Sequence, residues 1–278
     1  MVSLLEVLVV ATLAGCATGL GALPVLVTDR VSHRLYDGAL GLAAGIMVGA
    51  AVFALVVPGL ELGSPWEVVT GVLAGGAFLL AANALVPHLH LRFRGPRPEG
   101  TAVLGEPAER VAGSSDDLAS ASSDDANSDD LRRAILVGIA VTIHNVPEGL
   151  AVGIAFASGE AGLGLVIATA IAIQNVPDGF AMAVPASRAG VSRGKTVLYT
   201  TLSGGVPEPI AAAVGFVLVV FVTGLFPVAA GFAAGAMIAV VFRELIPSSH
   251  GHGYADTATA AFVLGFAIML VVDTVLAV

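Results

Sequence analysis

Two stretches of this chain carry the same short polar pattern inside otherwise apolar sequence, His144-Asn145-Val146-Pro147-Glu148-Gly149 and Gln174-Asn175-Val176-Pro177-Asp178-Gly179. The wider segments Ala140–Ala151 and Ala170–Ala181 align at an offset of 30 residues. On a helix, His144 and Glu148 share one face, as do Gln174 and Asp178, while Asn145 and Asn175 lie roughly 100° round from the first residue of each set. Each motif can therefore offer donors to two neighbouring positions. The donors are an imidazole, carboxylates and amide oxygens, with a thioether available from Met47. Such a borderline set suits Zn²⁺, Fe²⁺, Mn²⁺, Co²⁺ or Cd²⁺ better than Cu⁺, which prefers sulfur, or K⁺, which needs no imidazole. Pro147 and Pro177 lack an N–H and displace the carbonyls of Ile143 and Ile173. At membrane depth a freed carbonyl is tolerated where it lines a polar cavity, and matched prolines beside carboxylates favour one here.

The surroundings of these motifs are those of a lipid-embedded chain. Hydrophobic residues make up 56% of the 278, charged residues 12%, and mean hydropathy is +0.93. An ordinary soluble domain has about 45–50% apolar and about 25% charged residues, so a soluble fold is excluded. The 34 glycines suit close helix packing in lipid. A formal net charge of −9 argues against nucleic acid as a partner, and a single Cys16 leaves neither a disulfide framework nor a thiolate cluster. Apolar runs bounded by charge, Pro and Gly predict eight membrane helices, at about 3–28, 36–58, 66–90, 131–157, 162–187, 194–222, 227–248 and 256–277. Met1 to Val27 lacks a basic n-region and reads as a retained first span.

The basic residues order these spans in the membrane. Every Lys and Arg, from Arg30 and Arg34 to Arg188, Arg193, Lys195 and Arg243, falls in or near the loops after spans one, three, five and seven, whereas the opposite loops carry Glu61, Glu67 and Glu160. By the positive-inside tendency both termini are extracytoplasmic in a multi-pass cell-membrane protein. Three spans occupy residues 1–90, spans four and five with the motifs 131–187, and the last three 188–278, all in one membrane domain. The connection 91–130, rich in Ser and Asp, is expected to be a disordered acidic cytoplasmic loop. His33 reads as a solvated residue of a short polar loop.

Ionisable residues inside spans are costly, by about 2.5–3.5 kcal/mol each on insertion scales, and usually face a bundle interior where they work. Glu148, Asp178, Glu208 and Glu244 fall in four successive spans, with His144 one turn before Glu148. Three function classes use such groups. An intramembrane metal hydrolase would bring an open three-ligand zinc site with a general base, as in His-Glu-x-x-His, and that motif is absent from the sequence. A proton or sodium carrier without bound metal could use Glu148, Asp178 and Glu208, but has less use for His144 and the two Asn. A divalent-metal transporter uses all of them, and nothing in the sequence nominates a catalytic residue or a resident cofactor beyond the transported ion.

The paired motifs, with Ser203-Gly-Gly-Val-Pro-Glu208-Pro and Glu244-Leu-Ile-Pro-Ser-Ser-His250, resemble the ZIP (Zrt/Irt-like) metal transporters, in particular their GufA/ZupT-like prokaryotic branch. The resemblance runs over all eight spans. It implies an all-α integral membrane bundle in a 3+2+3 inverted-repeat arrangement, commonly a homodimer, with a binuclear metal site at its centre. By motif, one position would use Met47, His144, Glu148, Gln174 and Asp178. The other would use Asn145, Glu148, Asn175, Asp178 and Glu208, with Glu148 and Asp178 bridging. It further implies inward passage by an elevator-like displacement of spans one, four, five and six, and an exit path that Glu244, His88, His90, His250 and His252 could serve. Asp178 stands where the family often has Glu, and Asn175 where some relatives have Asp. The Asp-rich loop departs from the His-rich loops that family members often carry.

Overall fold

The computed structural model describes residues 2–27, 31–90, 123–159, 162–222 and 224–276. Among them the chain is entirely helical, in eight long segments. These are α1 (Leu4–Val27), α2 (His33–Leu62), α3 (Pro65–His90), α4 (Ser123–Ala157), α5 (Leu163–Arg188), α6 (Arg193–Phe221), α7 (Phe226–Ser249) and α8 (Ala255–Leu276). Seven of the eight, all but α4, are long and apolar enough over their described residues to cross a membrane. In α4 the stretch from Ala134 to Ala157 holds a single formally charged residue, Glu148. The protein is thus an all-α, multi-span membrane bundle.

Local sequence explains where these helices start. Ser3 and Glu6 form a reciprocal cap on α1, Ser32 accepts from the Leu35 N–H at the start of α2, and the Ser64 N–H donates to Glu67 at 2.7 Å ahead of α3. Two boundaries differ from expectation. Helix α4 begins at Ser123, so its first turns reach into the segment expected to be disordered. The rest of that acidic connection, 91–122, lies outside the described residues. Helix α2 begins at His33, which is therefore no loop residue.

Four helices depart from regularity where the sequence led us to expect unbroken spans. Helix α1 is interrupted at Ala17, and α6 at Val206, between Gly205 and Pro207. Helices α2 and α7 each contain one wide π turn, Val52–Val56 and Val241–Leu245. The Val57 N–H bonds the Val52 carbonyl and the Ile246 N–H that of Val241, and each turn precedes a proline, Pro58 or Pro247. An i→i+5 turn accommodates the bond a proline cannot donate, and such turns recur at functional sites.

The bundle pairs α2 with α8, α3 with α7, and α6 with both α4 and α1. Helix α5 packs on α4, α2 and α1. Leu5, Leu13, Leu73, Phe221 and Val263 are exposed on the outside, as lipid requires, while the polar residues of the motifs are inside. The described connections sort to two ends. Arg193 donates to the Leu26 carbonyl at 2.9 Å, and the His33 and His252 rings stack, so the chain after α1, α5 and α7 meets at one end. Gly63 abuts Pro227, which places the turns after α2 and α6 together at the other.

Candidate metal centre

The two motifs sit in α4 and α5, which run through Pro147 and Pro177 without interruption. Their asparagines do a job that spacing alone did not reveal. With Pro207 lacking an N–H, the Ser203 carbonyl loses its helical partner, and Asn145 Nδ2 donates to it at 2.7 Å. Asn175 Nδ2 donates at 2.8 Å to the Ala14 carbonyl, just before the interruption of α1. Each motif therefore caps the broken helix beside it, α4 serving α6 and α5 serving α1. The Ala14 carbonyl also accepts from the Ala17 N–H at 3.1 Å, but without Asn145 the Ser203 carbonyl would lack its helical partner, and a buried carbonyl left bare in lipid costs several kcal/mol.

The glycine that ends each motif follows the same division. A Cβ on Gly149 would stand 2.7 Å from Glu208 Cα and 2.9 Å from Ala211 Cβ of α6. One on Gly179 would stand 2.7 Å from the Thr18 carbonyl carbon of α1. Only a residue without a side chain lets these backbones touch. The first contact brings Glu208 of α6 beside the Glu148 turn of α4. Glu208 occupies the first turn of the helix Pro207–Phe221, where the helix dipole favours a carboxylate.

His144, Asn145, Glu148, Gln174, Asn175, Asp178 and Glu208 are all buried, with Asn145, Glu148, Gln174, Asn175 and Glu208 wholly so. Hydrogen bonds join them across helices. Gln174 Nε2 donates to Glu148 Oε1 at 2.7 Å, linking α5 to α4, and Asn175 Nδ2 donates to Glu208 Oε1 at 2.8 Å, linking α5 to α6. The remaining acceptors have no protein partner. They are His144 Nε2, Asn145 Oδ1, Glu148 Oε2, Gln174 Oε1, Asn175 Oδ1, both oxygens of Asp178 and Glu208 Oε2. Buried lone pairs facing nothing are expensive, and a set made of them is suited to a cation. Among the described residues no three His, Cys, Asp or Glu side chains close round one point as they stand. One oxygen each of Glu148 and Glu208 is taken by an amide N–H, which an ion binding there would displace.

Glu244 enters from the π turn of α7, where Oε2 lies 3.2 Å from His144 Nδ1. The sequence had placed Glu244 on an exit path, and its contact with the imidazole was not legible there. Met47 is buried in α2, which packs on α5. His250 at the end of α7 has Nδ1 within 3.0 Å of the Ile246 carbonyl, and His252 just beyond lies against Asp37. His88 and His90 belong to the last turns of α3, with their side chains outside the described residues. Ile143 and Ile173, whose carbonyls the prolines free, line two apolar grooves of about 900 and 680 Å³ instead of the polar centre. The reason is helical period: a position next to His144 or Gln174 points well away from the face they share.

The comparisons with known proteins agree with this geometry. A family model described as ZIP Zinc transporter matches residues 3–273. The chain is 36% identical over 275 residues to the zinc transporter GufA of Myxococcus xanthus, covering 96% of this chain and 97% of that one. It is 36% identical over 276 residues to the zinc transporter ZIPB of Bordetella bronchiseptica, covering 94% and 78% respectively. It is also 32% identical over 318 residues to human zinc transporter ZIP11, covering 92% and 93%. Both motifs lie inside the matched region, and the match takes in every described helix from α1 to all but the end of α8. The chain belongs to the ZIP family.

Proposed function

We propose that this membrane transporter of divalent metal ions carries Zn²⁺ foremost, with Fe²⁺, Mn²⁺ and Cd²⁺ as further cargo, into the cytoplasm through a binuclear centre where α4, α5 and α6 cross. Family membership makes it a transporter and not an enzyme. The observation that carries the central site is the row of unpartnered buried acceptors on three helices. One ion would take Met47, His144, Glu148, Gln174 and Asp178. The second would take Asn145, Glu148, Asn175, Asp178 and Glu208. Glu148 and Asp178 bridge the two, and the hydrogen bonds from Gln174 and Asn175 give way as the ions bind. Departing ions pass Glu244 and the histidines at the basic end, His88, His90, His250 and His252.

Matched irregularities support a 3+2+3 inverted repeat. The breaks of α1 and α6 are each capped by an Asn from one motif, and the π turns of α2 and α7 each precede a proline. Packing supports an elevator-like step. Helices α1, α4, α5 and α6 contact one another, α2 pairs with α8 and α3 with α7, and the His144–Glu244 contact crosses between the two groups. A homodimer in the bilayer, with both termini outside, completes the reading.

The test is uptake of labelled Zn²⁺ into proteoliposomes. His144→Ala and Glu148→Ala are expected to abolish it while the purified variants keep the melting behaviour of the parent. Undiminished uptake by Glu148→Ala overturns the site assignment. Sodium-stimulated flux without metal would favour the rival carrier.

A further inference from the structure

An apolar groove lies beside each broken helix. The larger, of about 900 Å³, runs between α4 and α6, and Val206 and Pro207 at the α6 break are among its walls. Along α4 it extends from Ile135 to Leu150. At the helical rise that is roughly 22 Å, more than one leaflet's share, about 15 Å, of a bilayer's hydrocarbon core. Ile135, Ile139, Leu202 and Ile210 are exposed along it. The smaller groove, of about 680 Å³, lies between α5 and α1 beside the break at Ala17. Basic residues distinguish the two. Lys195 is exposed one turn before Tyr199, a wall of the larger groove, and on the same face of α6. Arg132 and Arg133 precede Ile135 by three and two residues in the chain. No residue lining the smaller groove stands within a turn of a Lys or Arg.

We infer that the groove between α4 and α6 binds an anionic phospholipid, with an acyl chain along Ile139, Val206 and Ile210 and the headgroup phosphate on Lys195. At membrane depth water is excluded, so an open apolar groove is filled by hydrocarbon. Its walls select which hydrocarbon. Helix contacts in lipid favour small residues that let backbones approach. This groove instead presents Ile, Leu, Val and Tyr, and its one glycine, Gly138, is already covered, since a Cβ there would stand 3.2 Å from Met182 Cε. A helix of a second copy therefore fits poorly, whereas a thin, flexible acyl chain follows such walls. At the mouth, a lysine stem lies along apolar surface while its ammonium reaches the headgroups, where basic residues attract anionic lipid. Tyr199 beside it suits the same boundary. Val146 and Pro207 line the groove, while their chain neighbours Asn145 and Glu208 are buried on the polar side. The bound chain thus braces the α6 break from the side opposite the centre.

The test uses the full-length chain in lipid vesicles, with its one tryptophan removed by Trp66→Phe and a fluorescent reporter returned by Tyr199→Trp. Quenching by phosphatidylglycerol is compared with quenching by phosphatidylcholine, each brominated in its acyl chains. At Tyr199→Trp the anionic lipid is expected to bind about fivefold more strongly than the neutral one. Lys195→Glu should bring that ratio to one, and Lys195→Arg should keep it. Leu165→Trp, an exposed wall of the smaller groove, is the reference and should show no preference in any of these backgrounds. Ile210→Trp is a second reporter in the larger groove and must give the same ratio, so that misfolding of one reporter variant leaves the other to decide. Equal quenching by the two lipids in the larger groove means ordinary surrounding lipid only, and overturns the proposal. So does a reporter that neither lipid quenches, the result expected where a second copy fills the groove. None of these readings involves metal, so they stand or fall apart from the transport centre.

Discussion

Each residue of the paired motifs has its own partner, and their roles are unequal. In the first, His144 is held by Glu244 across helices and Glu148 by Gln174. In the second, Asn175 bonds both a helix break and Glu208, while Asp178 has neither oxygen bonded. Asp178 is thus the carboxylate least engaged by protein, and the one most available to an ion. A carboxylate on the far nitrogen of a ligand histidine orients the ring and strengthens it as a donor, and losing it typically costs 10–100-fold. We expect Glu244→Ala to lower Zn²⁺ uptake about 10-fold, and to less than the extent seen for Glu148→Ala, in the same liposome assay. Asn145→Leu leaves the Ser203 carbonyl bare, and is expected to destabilise the protein by about 1–3 kcal/mol. Thermal unfolding in detergent should show a lower melting temperature even without metal. The donor types and the pairing of the motifs were legible from spacing. The asparagines' capping was not, because it depends on breaks in helices far away in sequence.

Helices meet at this centre because two of them are broken and because glycine ends each motif. Val206 lies between the halves of α6, and Pro207 starts the second half, delivering Glu208 at a helix N-terminus. Gly149→Ala would push a methyl group to within 2.7 Å of Glu208 Cα. Backbone cannot yield as a flexible side chain does, so uptake should fall sharply. Gly194→Ala is the matched control, because a Cβ there meets nothing within 4 Å, and its uptake should stay near the parent's. Equal effects of the two would show that close approach of α4 and α6 is not needed. The Gly204-Gly205-Val206-Pro207 run contained the signal for the break in α6. The π turns had a weaker one, in Pro58 and Pro247, since a proline near a helix end is compatible with several geometries.

Taken whole, the molecule inverts the ordinary arrangement, with apolar residues outward and ionisable ones at the centre. Its basic residues make the orientation testable. In a Cys16→Ser background, Leu62→Cys lies at the end of α2 and Ser192→Cys in the turn after α5. A membrane-impermeant maleimide should label the first on intact cells, and the second only after permeabilisation. The opposite pattern reverses the topology. The described contacts already gather the turns after α1, α5 and α7 at one end, in keeping with the segregation of charge along the chain.

Sequence by itself determined the membrane class, the run of long apolar helices and the family, and it nominated the donor residues proposed for the centre. These follow from composition, from 20-residue apolar runs and from a repeated motif, all of which are local or additive. Tertiary structure alone decided which carbonyl each asparagine caps, that Glu244 meets His144, and that His33, read as a loop residue, stacks over a buried Asp37–His252 pair. Those contacts join residues such as 37 and 252, which no short-range pattern connects. They exist because lipid leaves every buried polar group to find its partner within the protein, wherever along the chain that partner lies.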